Sequence, residues 1–286
     1  MPDVLEKLIA IACHAGEAIL ALSKRDLATT AKVDGSPLTQ ADLAANDVIL
    51  RGLAESFPDL PVISEERVPE PRDAVNRHVF LVDPLDGTRD FLSGNGEYTV
   101  NIALLDGFEP VAGVIYAPAL GVIYAGAVGE GARRAAVTNG TVGAWERITA
   151  VTPAERLRAV TSRSHPSPRT QKYLDGLVIA KVLLMGSSLK FCLIAAGEAD
   201  IYPRLGRTME WDTAAGDAIL RSAGGTVVAL DGAPLRYNKR DAAGGYVFEN
   251  PEFLATGRFD PFDPKWRRTP AASVNAAPLT RDGRPC

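Results

Sequence analysis

The chain has 286 residues, 46% of them hydrophobic and 23% charged, the composition of a folded protein with room for one large domain or two close subdomains. Its formal net charge of −4 argues against a general polyanion binder, so no nucleic-acid partner is expected. Cys13, Cys192 and Cys286 are far apart, odd in number and form no C-x-x-C pair, which argues against a disulfide framework or a structural zinc site and fits a reducing compartment.

The N-terminal stretch "MPDVLEKLIAIACHAGEAILALSKRD" is apolar-rich but carries Asp3, Glu6, Lys7, His14 and Glu17. No uncharged run in it approaches the roughly 18–20 residues of a membrane span, and the basic region of a secretory signal is missing. Val4, Leu5, Leu8, Ile9, Ala12, Ala15, Ile19 and Leu22 recur at helical spacing and predict an amphipathic helix over 3–24. "ATTAKVDGSPLTQAD" follows as a polar hairpin or loop. Thr39 or Gln40 caps a second helix over 41–56, with Leu43, Val48, Ile49, Leu53 and Phe57 on one face. A short strand, Pro61 to Ser64, ends in Glu65-Glu66, and a polar loop with two prolines leads to a strand over 78–82.

From Tyr98 to Val128 the pattern is β: "YTVNIALLD", "EPVAGVIYAP" and "GVIYAGAVG" are separated by turn signals and predict an antiparallel meander. Near Val151 the character changes. "LRAVTSRSH" reads as strand, "SPRTQKYLDGL" as helix, "VIAKVLLMG" as strand and "SSLKFCLIAAGEA" as helix. "DIYPR" (strand), "WDTAAGDAILRSAGG" (helix) and "TVVALDG" (strand) follow, an α/β alternation. The expected organisation is an α+β N-terminal subdomain over 1–150 and an α/β subdomain over 151–262. The segment 263–286, rich in Pro, Ala and Arg, reads as a poorly ordered tail.

Acids stand at element ends. Glu65 follows a strand, Asp83 and Asp86 follow another, and Asp212 stands where a helix begins. Taken singly each has a bland explanation: a solvated loop for Glu65, a turn for Asp86-Gly87, a helix cap for Asp212. "DPLDGT" as a unit is more particular, with two acids three apart around Pro84, then Gly87 and Thr88, directly after a buried strand. Clustered carboxylates repel unless cations neutralise them, and oxygen donors without His or Cys select hard cations, Mg²⁺ above all. Two such ions about 3.5–4 Å apart suit phosphoryl hydrolysis. Composition and spacing lead as far as a hard-metal, phosphate-handling site.

"ISEE", "DPLDGT" and "WDTAAGDAILRSAGG", in this order, resemble the inositol monophosphatase-like superfamily of Mg²⁺-dependent, lithium-sensitive phosphatases, over roughly residues 4–256. Within it the chain resembles the bacterial 3'(2'),5'-bisphosphate nucleotidases of the CysQ type. The pointers are "KVDGSPLTQAD", "DPLDGTRDF", "NGEYTVNIALLD", "SRSH", "GSSLKFCLIAAGEADIYPR" and "WDTAAG". Inositol monophosphatases typically carry Thr-Asn after the Gly-Thr; here Arg89-Asp90 stands in that place.

The resemblance implies an α/β fold, the layered αβαβα sandwich of the inositol monophosphatase and fructose-1,6-bisphosphatase type. It implies removal of the 3'-phosphate of adenosine 3',5'-bisphosphate (PAP), giving AMP and phosphate, in sulfur metabolism, with the sulfated analogue PAPS as a second substrate. Glu65, Asp83, the Leu85 carbonyl, Asp86 and Asp212 match metal-ligand positions for two or three Mg²⁺ ions. Asp42, Glu65 and Thr88 match catalytic positions, Thr88 orienting the attacking water with Asp42 as its acid partner. Gly87 and Thr88 match backbone donors to the phosphate, and His165, Ser187, Lys190 and Arg204 match positions that contact the nucleotide. A cytoplasmic enzyme is implied, monomeric or homodimeric, with peripheral attachment to the inner face of the membrane known for some members. The rivals are an inositol phosphatase or sugar bisphosphatase of the same superfamily, which shares every metal ligand, and a non-catalytic regulator that keeps the fold.

Overall fold

The computed structural model describes residues 2–22, 29–31, 37–69 and 77–268. Helix α1 (Pro2–Leu22) forms where the apolar spacing predicts one, and Leu5, Leu8, Ile9, Ala12, Ala15 and Ile19 are all buried. Strands β1 (Thr29–Ala31) and β2 (Pro37–Thr39) pair antiparallel, so the polar segment is a hairpin whose tip lies outside the described residues. Helix α2 (Gln40–Ser56) starts at Thr39. The Thr39 hydroxyl accepts from Asp42 N, and the Asp42 carboxylate accepts from the Thr39 amide, forming a capping box. Its buried face is Ala41, Ala45, Ile49 and Leu53, while Leu43, expected there, is exposed. Two residues back from Ala45 is about 200° around the helix, on the far side.

The first sheet holds β3 (Val62–Ser64), β4 (His78–Asp86), β5 (Thr99–Asp106), β6 (Glu109–Ala117), β7 (Val122–Ala127), β8 (Gly131–Thr138), β9 (Thr141–Val142) and β10 (Glu146–Ile148). Its order is β10-β8-β7-β6-β5-β4-β3, with β9 on β8. The meander β5–β6–β7 is antiparallel, as its turn signals predict, and β3 runs parallel to β4. Strands β8 to β10 escape a reading by alternation. They form the polar margin of the sheet, where Arg134 stands opposite Glu146 and pairs with it at 2.9 Å. A six-residue helix, α3 (Thr88–Ser93), follows β4.

The second sheet holds β11 (Leu157–Ser162), β12 (Ile179–Met185), β13 (Ile201–Arg204), β14 (Thr226–Ala229) and β15 (Phe253–Thr256), in the order β12-β11-β13-β15-β14. Helices α4 (Pro168–Asp175), α5 (Leu189–Ala195) and α6 (Glu210–Ser222) alternate with these strands. The parallel core β12-β11-β13 matches the expected α/β alternation, but β15 runs antiparallel between β13 and β14. Helices α1 and α2 cover one face of the first sheet, α5 and α6 fill the space between the sheets, and α4 packs against β13 on the far side. This is the five-layer αβαβα sandwich.

Helix α6 is buried almost all round because both its sides face a layer: Trp211, Ala214, Ala215, Ala218, Ile219 and Leu220 are buried, and so are Glu210, Thr213 and Asp217. Two glycines let it approach the first sheet. A Cβ at Gly113 would stand 2.5 Å from the Ala215 carbonyl oxygen, and one at Gly126 would stand 3.1 Å from Ile219 Cα. The first residues of the segment expected as a tail, 263–268, are ordered. Pro264–Trp266 forms a 3-10 turn, and Trp266, 2% exposed, packs with Leu157, Leu174 and Leu177. One large aromatic outweighs the polar average of its surroundings. The rest of the tail, 269–286, lies outside the described residues. Among those described, no helix is long and apolar enough to cross a membrane.

Candidate active site

Strand β4 does not stop at Val82, where its apolar run ends, but continues to Asp86. Asp83 is paired with Asn101 on β5 and Asp86 with Thr99, so four residues of β4 face three of β5. Pro84 and Leu85 form the resulting bulge, and a proline, having no N–H to give the ladder, is at home there. The Asp83 carboxylate, 1% exposed, accepts from Leu85 N at 3.1 Å and holds the bulge closed. Leu85 buries its side chain. Gly87 follows at φ +89°, a left-handed conformation with only 3.3 Å between a would-be Cβ and the Glu97 carbonyl oxygen, and opens α3.

Asp42 and Asp212 occupy equivalent places. Each is the third residue of its helix and uses Oδ2 to accept from the backbone amide before it: Thr39 N for Asp42, Met209 N for Asp212, both at 2.8 Å. The bland helix-cap reading of Asp212 is thereby refined to half of a capping box, with Asp212 the third residue of the helix and not its cap. In Asp42 the other oxygen, Oδ1, accepts from Thr88 Oγ1 at 3.4 Å, and the same hydroxyl stands 3.4 Å from the Leu85 carbonyl. Burial, together with the Asp86 and Glu65 carboxylates, pushes Asp212 up to about 8.

A cleft of about 250 Å³ is lined by Asp86, Gly87, His165, Ser187, Lys190, Arg204 and Asp212. Residues from the two sheets and from the helices between them thus meet on one surface. It adjoins a larger cavity of about 510 Å³, with which it shares Ser162, His165, Tyr202 and Arg204 and whose walls include Pro166, Leu174 and Leu184. Lys190 is 5% exposed. It donates to the Ser187 carbonyl and lies 5.2 Å from the Tyr202 ring centre. Burial brings its ammonium down to about 8, against the attraction of Asp86, Asp90 and Asp212. His165 is held below the usual histidine range by partial burial and by the charges of Arg204, Arg89 and Lys190. Its Nε2 is 3.3 Å from Arg89 Nη1. Arg204 donates to the Arg207 carbonyl at 2.9 Å.

Among the described residues, no three His, Cys, Asp or Glu side chains are closed into a ready-made cation cage. The donor chemistry nonetheless fits a hard divalent ion. The donors are all oxygens, and the Asp86 and Glu65 carboxylates raise the cost of ionising Asp212, which a cation would relieve.

Several residues beside the expected ones organise this cleft. Helix α5 begins only at Leu189, so Ser187, at φ +53°, and Ser188 are left in a turn, from which both hydroxyls reach Asp86 Oδ2 at 2.5 and 2.8 Å. Ser187, expected to face the nucleotide, has its hydroxyl engaged by Asp86 and Thr99. Glu97 binds Arg163 through two hydrogen bonds of 2.8 Å and accepts from Gly186 N at 2.7 Å. Asp90, 3% exposed, accepts from Asn95 Nδ2 and Ser164 Oγ, both at 2.5 Å. Both acids tie the first half of the chain to the turn that carries His165. The signal for Thr99 and Asn101 was two polar residues on one face of an otherwise apolar strand.

The inositol monophosphatase family model matches residues 2–258. The chain is 41% identical over 260 residues to the 3'(2'),5'-bisphosphate nucleotidase CysQ of Escherichia coli, covering 87% of this chain and 98% of that protein. The crystal structure of CysQ from Bacteroides thetaiotaomicron superposes with a TM-score of 0.74 at 35% identity, over 90% of this chain and 98% of that one. An inositol monophosphatase from Anabaena superposes with a TM-score of 0.68 at 26% identity, over 90% of this chain and 92% of that one.

Proposed function

We propose, because this chain belongs to the inositol monophosphatase family, that it is a phosphatase removing the 3'-phosphate of adenosine 3',5'-bisphosphate to give AMP and phosphate. The observation that carries this reading is the composition of the cleft. Carboxylates (Asp86, Asp212) share the cleft with cationic and imidazole groups (Lys190, Arg204, His165), and a larger cavity with apolar walls opens where His165 and Arg204 stand. A reacting phosphate, a second phosphate and a nucleobase would each find matching surroundings: carboxylates to hold cations, cationic side chains and an apolar-walled cavity. Identity to relatives named as bisphosphate nucleotidases points the same way. PAPS is a second substrate on this reading, and the enzyme is cytoplasmic.

Glu65, Asp83, the Leu85 carbonyl, Asp86 and Asp212 are the residues to hold two or three Mg²⁺ ions. Mg²⁺ there supplies charge to offset the phosphate oxygens and lowers the pKa of water. The chain does the positioning. Asp42 Oδ1 accepts a hydrogen bond from the Thr88 hydroxyl, which leaves the lone pairs of Thr88 Oγ1 to accept from the attacking water and aim it. Gly87, held left-handed, and Thr88 present backbone amides to the phosphate. Lys190 and Arg204 bind the phosphate that does not react, one as a point charge and the other as a planar fork. Phosphoryl transfer needs little else, since positioning and charge neutralisation carry most of the catalysis.

Phosphate release from adenosine 3',5'-bisphosphate, inositol 1-phosphate and fructose 1,6-bisphosphate, each with Mg²⁺ and with EDTA, tests the reading. Fastest Mg²⁺-dependent turnover of the nucleotide is expected. Preference for either sugar phosphate would replace the nucleotide with that substrate class, and no hydrolysis of any would leave a non-catalytic protein.

A further inference from the structure

Beneath Asp86 lies a chain of buried polar groups that meets the cleft only at its near end, through Ser188. Thr99 and Asn101 project from β5, opposite Asp86 and Asp83, and are 0% and 1% exposed. Thr99 Oγ1 donates to Asn101 Oδ1 at 2.8 Å, and Asn101 Nδ2 donates to Ser188 Oγ at 2.9 Å. Ser188, 2% exposed, stands 2.8 Å from Asp86 Oδ2 and 2.7 Å from the Asp212 carbonyl oxygen. Three elements meet at that one hydroxyl: the first sheet through Asn101, the turn before α5, and the start of α6.

The protons do not suffice for the contacts. Thr99, Ser187 and Ser188 have one hydroxyl proton each, three in all, yet they make five close contacts with acceptors or with each other. Thr99 gives its proton to Asn101, and Ser187 gives its proton to Asp86. The Ser188 proton is then contested by Asp86 Oδ2 and the Asp212 carbonyl, and the close Thr99–Ser187 pair has none left. Asp86 therefore sits in a network short of donors, a state that positive charge relieves. Because Asn101 fixes the Ser188 oxygen from the other side, Ser188 can serve one acceptor or the other without moving.

We propose that Thr99, Asn101 and Ser188 are positioning residues that set the affinity of Asp86 and Asp212 for a divalent cation. With the lone pairs of Asp86 committed to an ion, Ser188 would turn its proton to the Asp212 carbonyl and, held by Asn101, tie the start of α6 to β5. This rests on the assignment of Asp86 and Asp212 as metal ligands. Groups that orient a ligand from behind typically change metal affinity by about 10–100-fold when removed.

The test is a titration of the full chain with Mn²⁺ followed by electron paramagnetic resonance, with thermal melting in EDTA alongside. S188A is expected to weaken Mn²⁺ binding about tenfold. T99V, which touches neither acid, is expected to weaken it about threefold, the loss of one hydrogen bond at the end of the chain. Ser188→Ala changes little volume; should it fail to fold, Thr99→Val, nearly the same shape as the native residue, still decides. D86N is the control. If D86N loses Mn²⁺ binding while S188A and T99V bind like the parent, with or without a lower melting temperature, the network is structural and the proposal is overturned. If D86N itself binds Mn²⁺ like the parent, the ligand assignment falls and the proposal with it.

Discussion

Replacing Lys190 with Met should stabilise the metal-free protein while impairing its use of substrate. Lys190 is 5% exposed and its ammonium is lowered from 10.5 to about 8 by burial. At about 1.4 kcal/mol per pH unit, the charged form destabilises the fold by about 3 kcal/mol. Met fills similar space without charge, but it leaves the Ser187 carbonyl without its donor, a loss of about 1 kcal/mol. A net gain of about 2 kcal/mol is expected at pH 7. The sign follows from the lowered pKa. Below pH 8 the lysine is protonated in both folded and unfolded chains, and the full destabilisation is present. It fades as pH rises from 8 to 10.5, so the advantage of K190M shrinks across that window.

Urea denaturation in EDTA at pH 7 and pH 10 reads this difference. In Mg²⁺, KM for adenosine 3',5'-bisphosphate should rise about tenfold or more, the value of a charge-assisted hydrogen bond, with little change for a nucleoside 3'-monophosphate. A K190M protein less stable than the parent at pH 7 would refute the burial argument. Equal KM effects on both substrates would remove Lys190 from the second phosphate.

Three further outcomes are expected. G87A places a side chain at φ +89° and 3.3 Å from the Glu97 carbonyl oxygen, so it should lose about 1–2 kcal/mol in urea melts and lower kcat about 100-fold by shifting the Asp86–Thr88 turn. E97A removes both bonds to Arg163 and the acceptor for Gly186 N; KM for the nucleotide should rise, with a stability loss of about 1–2 kcal/mol by denaturation, since the arginine pair itself is part-exposed. R89A removes one of three cationic neighbours of His165, the one 3.3 Å from its Nε2, and steady-state kinetics should show a higher KM for the bisphosphate and an unchanged one for a monophosphate.

Much of this fold is legible along the chain. The apolar spacing of α1, the capping pair of Thr39 and Asp42, and the meander β5–β6–β7 are set by contacts within a few residues, and periodicity reports such contacts directly. The five layers were expected through the resemblance rather than through any count of elements. The parts that escaped depend on remote partners. Strand β15 is a strand because β13 and β14 flank it, and Trp266 is buried because Leu157 and Leu174 are there to receive it. Neither fact has a local signature.

The candidate site divides the same way. Its carboxylates were visible because acids at strand and helix ends are conspicuous, and "DPLDGT" is conspicuous even without relatives. The sequence by itself determined the donor chemistry: oxygen ligands, a glycine at the turn, a threonine beside it and no thiol or imidazole among the proposed ligands. Only the tertiary structure decided how the donors are held. Asp86 is 13 residues from Thr99 and more than 100 from Ser188, and Asp212 approaches because α6 settles against Gly113 and Gly126. A hydrogen bond depends on distance and angle, and a chain folded into five layers sets both by packing, which no local pattern of residues records.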